Sequence, residues 1–166
     1  MSISPVDFLD SAKQSLLSAE QYGEVAIRNA ISRAYYAAFH QARSVFPVDR
    51  EFGKNAGVGM HEAYIDQLMQ ADTGSDARWA AVKLKSLKGR RANADYRLDN
   101  DLPAYHATMQ VTAAEELFKK LEELVCSVIE VSDKPTVPDG KECHAGLSDD
   151  DSPSPSGRRP KLQRIL

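Results

Sequence analysis

Between Glu24 and Phe46, the residues Asn29, Arg33, Tyr36, His40 and Arg43 follow one another at intervals of four, three, four and three. That rhythm places them on one face of a helix. The set holds two guanidiniums, an imidazole, a phenol and an amide: cations for an anion, and a ring that titrates near neutral pH. A second set lies in "KGRRANADYRL", where Lys88, Arg90 and Arg91 precede Asp95 and Tyr96. Arg91 and Asp95 stand four apart, the spacing of a helical ion pair. If the two segments face each other, Asp95 can pair with Arg33 or with Arg91, and Tyr36 or Tyr96 can hydrogen-bond the remainder. A polar cluster then lines a groove between two helices.

The surrounding charge bears on what such a groove would attract. From Arg78 to Arg97 there are seven basic residues against one acid, a local net of +6 in a chain whose overall net charge is −3. An asymmetry of this size steers anionic partners to one face. The competing reading is an ordinary solvated helix surface, with Arg91 and Asp95 merely closing a helix end and Tyr96 covering the bundle core.

The elements that must position these groups follow from apolar spacing. Ser4 before Pro5 is a helix start, with the hydroxyl as N-cap and proline in the first turn; Val6, Leu9, Leu16 and Leu17 carry that helix to about Gln21, and Gly23 breaks it. A second helix runs from Glu24 to Phe46, with Ile27, Ile31, Ala34, Ala38, Ala42 and Val45 as its inward stripe, and Pro47 ends it. The glycine-dotted "DREFGKNAGVG" reads as a loop, and a shorter helix spans about Met60 to Gln70. Ser75 then caps a helix beginning near Asp76, whose inward stripe is Ala80, Leu84, Leu87, Arg91 and Ala94. A guanidinium in that stripe requires a partner, because burying one alone is costly. Pro103 opens a last long helix with Val111, Ala114, Leu117, Leu121, Leu124, Val125 and Val128 facing inward.

The expected fold is thus all-α, an up-and-down bundle of four to five helices over residues 1–130. Residues 131–166, rich in Pro, Ser and acids and ending in the basic "GRRPKLQRIL", read as a disordered tail. At 166 residues the chain is long enough to bury a core without disulfides. Cys126 and Cys143 read as incidental reduced thiols. No apolar run is long enough to cross a bilayer and the first residues resemble no leader, so the expected location is the cytoplasm, with no membrane partner. His61 and His106 have no companions at metal-ligand spacing, and the Cys143–His144 pair lacks further ligands, so neither metal nor cofactor is expected.

"RNAISRAYYAAFHQAR", followed some fifty residues later by "RRANADY", resembles the HEPN domain family, in particular its small prokaryotic members with an SRAYYAxFH helix and an RxxADY signature. The resemblance covers roughly residues 4–130. It implies a four- or five-helix bundle, often a homodimer, and in many members a metal-independent ribonuclease acting as a toxin or defence effector. In those nucleases an R-x4-6-H motif holds the scissile phosphate on arginine and moves protons on histidine. Here Arg91 takes the arginine position, but the residue five later is Tyr96. Phenols titrate near ~10 and imidazoles near ~6.5, so tyrosine is a poor general base at neutral pH.

Carried onto this chain, the resemblance implies Arg91, Asp95, Tyr96 and His40 as the catalytic set, with His40 the substitute acid or base, and Arg33, Tyr36, Lys88 and Arg90 as substrate-binding groups. RNA is the implied partner, together with an antitoxin or a nucleotidyltransferase. The alternative is a non-catalytic interaction or nucleotide-binding module, or an inert helical subunit.

Overall fold

The computed structural model describes residues 3–48, 59–70 and 74–132, all within the compact unit Met1–Lys134. These residues form a helical bundle with no strand among them: α1 (Pro5–Leu17), α2 (Ala19–Tyr22), α3 (Glu24–Val45), α4 (Met60–Met69), α5 (Gly74–Tyr96) and α6 (Ala104–Ser132). The α2 segment is a single turn, which leaves five substantial helices. No helix among the described residues is long and apolar enough to cross a membrane. Of the loop expected at 49–59 only Gly59, and of the tail expected at 131–166 only residues 131–132, fall among the described residues; there α6 continues two residues past the boundary expected at 130.

The bundle is organised around α3, which packs against α1, α5 and α6, while α4 lies on α5. Alanine makes this possible: Ala26, Ala30, Ala34, Ala37, Ala38 and Ala42 are all buried, and small side chains let neighbouring helices approach α3 from several sides. Ile27 and Ile31 of the expected stripe are buried with them. The main core joins Ala34, Ala37, Ala38 and Ala42 to Leu84 and Leu87 of α5 and to Ala114, Leu117 and Leu121 of α6, while Ile27, Ala30 and Ile31 form a second cluster with Ala94, Leu102 and Ala107. Across the core, Gln110 of α6, completely buried, donates from Nε2 to the carbonyl oxygens of Leu87 (3.0 Å) and Ile31 (3.4 Å), tethering three helices at one point.

Local chemistry sets the ends. Ser4 caps α1 in a reciprocal box with Asp7: the Ser4 backbone N–H donates to Asp7 Oδ2 at 2.6 Å, and Asp7 N–H donates to Ser4 Oγ at 3.4 Å. The Ser4 backbone donor first, and then the Ser4 hydroxyl donating to Asp7 Oδ2 at 2.8 Å, hold the Asp7 carboxyl below its ordinary range. The first helix does not continue to Gln21 as its periodicity implies. It stops at Leu17, where the Ser18 hydroxyl donates to the Ser15 carbonyl (2.9 Å), a side-chain bond that competes with the helical ladder. Gly23, at φ +62°, then makes the left-handed turn into α3 that a side chain would resist.

Two further expectations are corrected. Ser75 is not the cap of the fifth helix, since α5 already includes Gly74. Val125 belongs to the apolar pattern of α6 but is exposed, because the packed face of a straight helix drifts away from a strict repeat over its length.

Candidate functional site

The polar residues of α3 and α5 meet, with α4 closing one side. Arg91 continues the inward stripe of α5 and stands half-buried, its side chain 18% exposed, with its charge compensated on two sides. Its Nε lies 2.6 Å from Asp95 Oδ2, one helical turn on. The N–H is not aligned along that line, so the pair is a close Coulombic contact rather than a well-formed hydrogen bond. Its Nη2 donates to Tyr36 Oη at 2.9 Å, and its guanidinium lies over the rings of Tyr36 (5.4 Å) and Tyr96 (5.2 Å). Burial works against the charge, but Asp95 and then the two phenols more than offset it and raise the Arg91 pKa. Ser32 adds a hydroxyl donor to Asp95 at 3.3 Å.

Tyr36 is the hub. Within 6.5 Å of its ring centroid stand the Arg91 guanidinium (5.4 Å), the His61 ring (5.9 Å) and the His40 ring (6.5 Å). Phe8 of α1 closes the side next to His40, with ring centroids 5.4 Å apart. His40 itself is exposed. Its pKa lies below the ordinary 6.5, first through partial burial and then through the charge of Arg43, so it is predominantly neutral at pH 7 and able to accept a proton.

His61 is the member that spacing along the chain did not reveal. It comes from α4, carries no metal-ligand companion, and reaches the cluster only because α4 packs on α5. Its Nδ1 is 2.8 Å from the phenol oxygen of Tyr35, which is fully buried. The Tyr35 hydroxyl has no other hydrogen-bond partner among the described residues, so its proton is directed to Nδ1. The ring is then the Nε2–H tautomer, with Nε2 as its remaining polar atom and donor. Burial, followed by the charges of Arg91 and Lys88, lowers the His61 pKa and keeps it neutral at pH 7. Burial also drives the Tyr35 phenol upward, so it stays protonated. Successive tyrosines of α3 therefore hold the two partners: Tyr35 holds His61, and Tyr36 holds Arg91.

The other sequence-derived candidates divide. Asp95 chooses Arg91; Arg33 is exposed and lies over the Phe8 ring at 5.9 Å, at the edge of the cluster. Tyr96 is 71% exposed, its ring against Arg91 and its outer side open. It is therefore no cover for the core. Lys88 reaches α4 and forms an ion pair with Glu62, so its charge is partly spent beside His61. Arg90 faces away from the cluster: one residue along a helix turns about 100°, and its side chain lines a groove beside α6. It is not part of the Arg91 site. Arg43 stacks over Phe39 (5.7 Å) and Tyr64 (6.0 Å), two turns of α3 beyond Tyr36. No group of three or more His, Cys, Asp or Glu residues able to hold a metal is found among the described residues.

The arrangement offers a charged, multiply hydrogen-bonding guanidinium, one ring N–H donor and one free neutral imidazole around a phenol. Such a set can bind a phosphate and exchange a proton beside it. The chain matches no family model, no curated protein and no solved structure.

Proposed function

We propose that the chain is an HEPN-like effector that binds RNA and cleaves it without a metal, in the setting of a toxin–antitoxin or antiphage system. The observation that carries this reading is the Tyr36 hub, around which Arg91, His61 and His40 gather within 6.5 Å. Arg91 and the His61 Nε2–H hold the scissile phosphate. His40 takes the proton of the adjacent 2′-hydroxyl as that oxygen attacks phosphorus. The 5′-oxygen departs and takes a proton from the imidazolium so formed or from water, leaving a 2′,3′-cyclic phosphate and a 5′-hydroxyl. Asp95 orients Arg91, and Tyr96 flanks it. A histidine from α4 and one from α3 thus take up the role that Tyr96 cannot fill.

The test is incubation of purified protein with unstructured RNA in chelator, with product ends mapped. Fragments ending in cyclic phosphate are expected from the wild type and none from Arg91→Ala, which should also relieve growth inhibition on overexpression. Cleavage that persists at wild-type rate in Arg91→Ala would falsify the assignment.

A second reading keeps the anion site and drops the chemistry. It is favoured by the Asp95 carboxylate beside Arg91, which lowers the net charge offered to a phosphate. On that reading the protein is a non-catalytic partner of an antitoxin, a nucleotidyltransferase or another defence protein, and RNA or nucleotide binds but is recovered intact.

A further inference from the structure

Gly89 stands seven residues before the C-terminal end of α5, in mid-helix, where glycine destabilises a helix relative to alanine. Packing does not require it: a Cβ built there meets nothing within 4 Å, and the residue is exposed. What the missing side chain does provide is bare backbone on an exposed face, which a ligand can approach closely. The surroundings of Gly89 say which ligand. On the same outer face, Lys85 lies one turn earlier and Tyr96 two turns later, both exposed. On one flank stand Lys88 and Arg91. On the other stands Arg90, which lines a groove of about 450 Å³ with Tyr105, Thr108, Met109 and Thr112 of α6. Lys85 and Arg90 have no ion-pair partner among the described residues. The one carboxylate at the groove, Glu116, is already paired with Lys83 at 2.9 Å.

We propose that a single RNA strand crosses the outer face of α5 at Gly89, running from the Arg91 cluster to the α5–α6 groove, where Arg90 takes a second phosphate and exposed Tyr105 stacks an unpaired base. The inference rests on the RNA reading above and adds to it a path and a second phosphate and base subsite outside the Arg91 cluster. Positive charge tracking a backbone beside aromatic faces is the general recipe for sequence-tolerant single-strand binding. Bare backbone at Gly89 is the saddle that lets the strand pass between Lys88 and Arg90. A duplex could not follow this path, since its bases would not be free to stack on Tyr105.

The experiment measures binding of 2′-O-methyl oligouridylates, which cannot be cleaved through their own 2′-hydroxyl, to the full chain. A twelve-mer should bind wild type at least about tenfold tighter than a dimer, since a single-strand site of this kind spans about four or more nucleotides. Arg90→Ala should reduce the salt dependence by about 0.7 in log–log slope, the share of one phosphate on a single strand. Gly89→Leu should raise the melting temperature, because leucine is the better helix former, while weakening the twelve-mer by about tenfold and leaving the dimer unchanged. A glycine that matters only for folding could not produce gains in stability and losses in binding together. Two results overturn the inference in distinguishable ways. If wild type binds the twelve-mer and Gly89→Leu, Arg90→Ala and Tyr105→Ala bind it equally, the path is wrong and the Arg91 site stands. If wild type binds neither oligomer, the RNA reading itself fails and the path fails with it.

Discussion

Replacing Tyr35 with phenylalanine removes one oxygen from the interior and tests the device that holds His61 in the cluster. The phenol is fully buried and its hydroxyl proton goes to His61 Nδ1 at 2.8 Å. Phenylalanine keeps the ring packing against Phe39, so the loss is confined to that bond. A hydrogen bond of this kind contributes about 1 kcal/mol net, and a buried partner left unsatisfied costs a further ~1–3 kcal/mol. His61 is only half-buried, so water can reach part of the ring and the expected total is about 1–2 kcal/mol. For a unit of 134 residues, each kcal/mol moves Tm by roughly 3–5 °C, so Tm should fall by roughly 3–10 °C.

The same change should appear in titration. In the fold the His61 pKa is depressed, by burial first and then by Arg91 and Lys88, below the ordinary 6.5. On acidification the unfolded chain therefore takes up that proton first. Its contribution to stability is present above pH 6.5 and is lost as pH falls through 6.5 towards the lower folded value. Without the phenol donor the neutral ring loses support, its pKa moves back towards 6.5, and the acid-side loss becomes shallower. Thermal melts between pH 5 and 8, together with 15N-detected titration of the His61 ring, read both effects. The reasoning is refuted if wild-type His61 carries its proton on Nδ1, or if Tyr35→Phe leaves both Tm and the titration unmoved.

Other perturbations separate packing from chemistry. Leu84→Ala empties a fully buried position between α5 and its neighbours, and chemical denaturation should show a loss of about 2–5 kcal/mol. Arg28 donates to the carbonyl oxygens of Ala94 (2.6 Å), in the last turn of α5, and of Asn100 (2.6 Å), beyond its end; Arg28→Met should cost about 1–2 kcal/mol at these partly exposed sites and speed amide exchange in the last turn of α5. Asp95→Asn should leave the fold intact but free Arg91, tightening phosphate-analogue binding while misplacing the guanidinium, so RNA cleavage drops as affinity rises. If cleavage and affinity fall together, Asp95 does more than orient. Activity should also decline below pH 6.5 as His40 becomes protonated, and His40→Gln should remove that limb along with most of the turnover.

Much of the bundle was written in the spacing of apolar residues. The alanine stripe of α3, Ser4 and Pro5 at the start of α1, and Leu84, Leu87, Leu117 and Leu121 in the core each occupy the position their neighbours demand, because helix periodicity and capping are local properties. Arg91 in an inward stripe was equally legible, as was its need for a partner. The break at Ser18 was not, since it depends on one hydroxyl choosing a carbonyl over solvent. Gln110 could not be read as core either: an amide on an apolar face is buried only when two carbonyls from other helices arrive to accept its protons.

What the amino-acid order determined by itself is therefore the set of helices, the face each one buries, and the charges that line α5. Only the packed structure decided that Asp95 would take Arg91 rather than Arg33, that Arg90 would turn to α6, and that His61 would stand beside Tyr36. Pairings of this sort depend on distances between residues far apart in the chain, here 26 positions between Tyr35 and His61 and 55 between Tyr36 and Arg91. Those distances are set by how closely helices approach across an alanine face, which no single helix encodes.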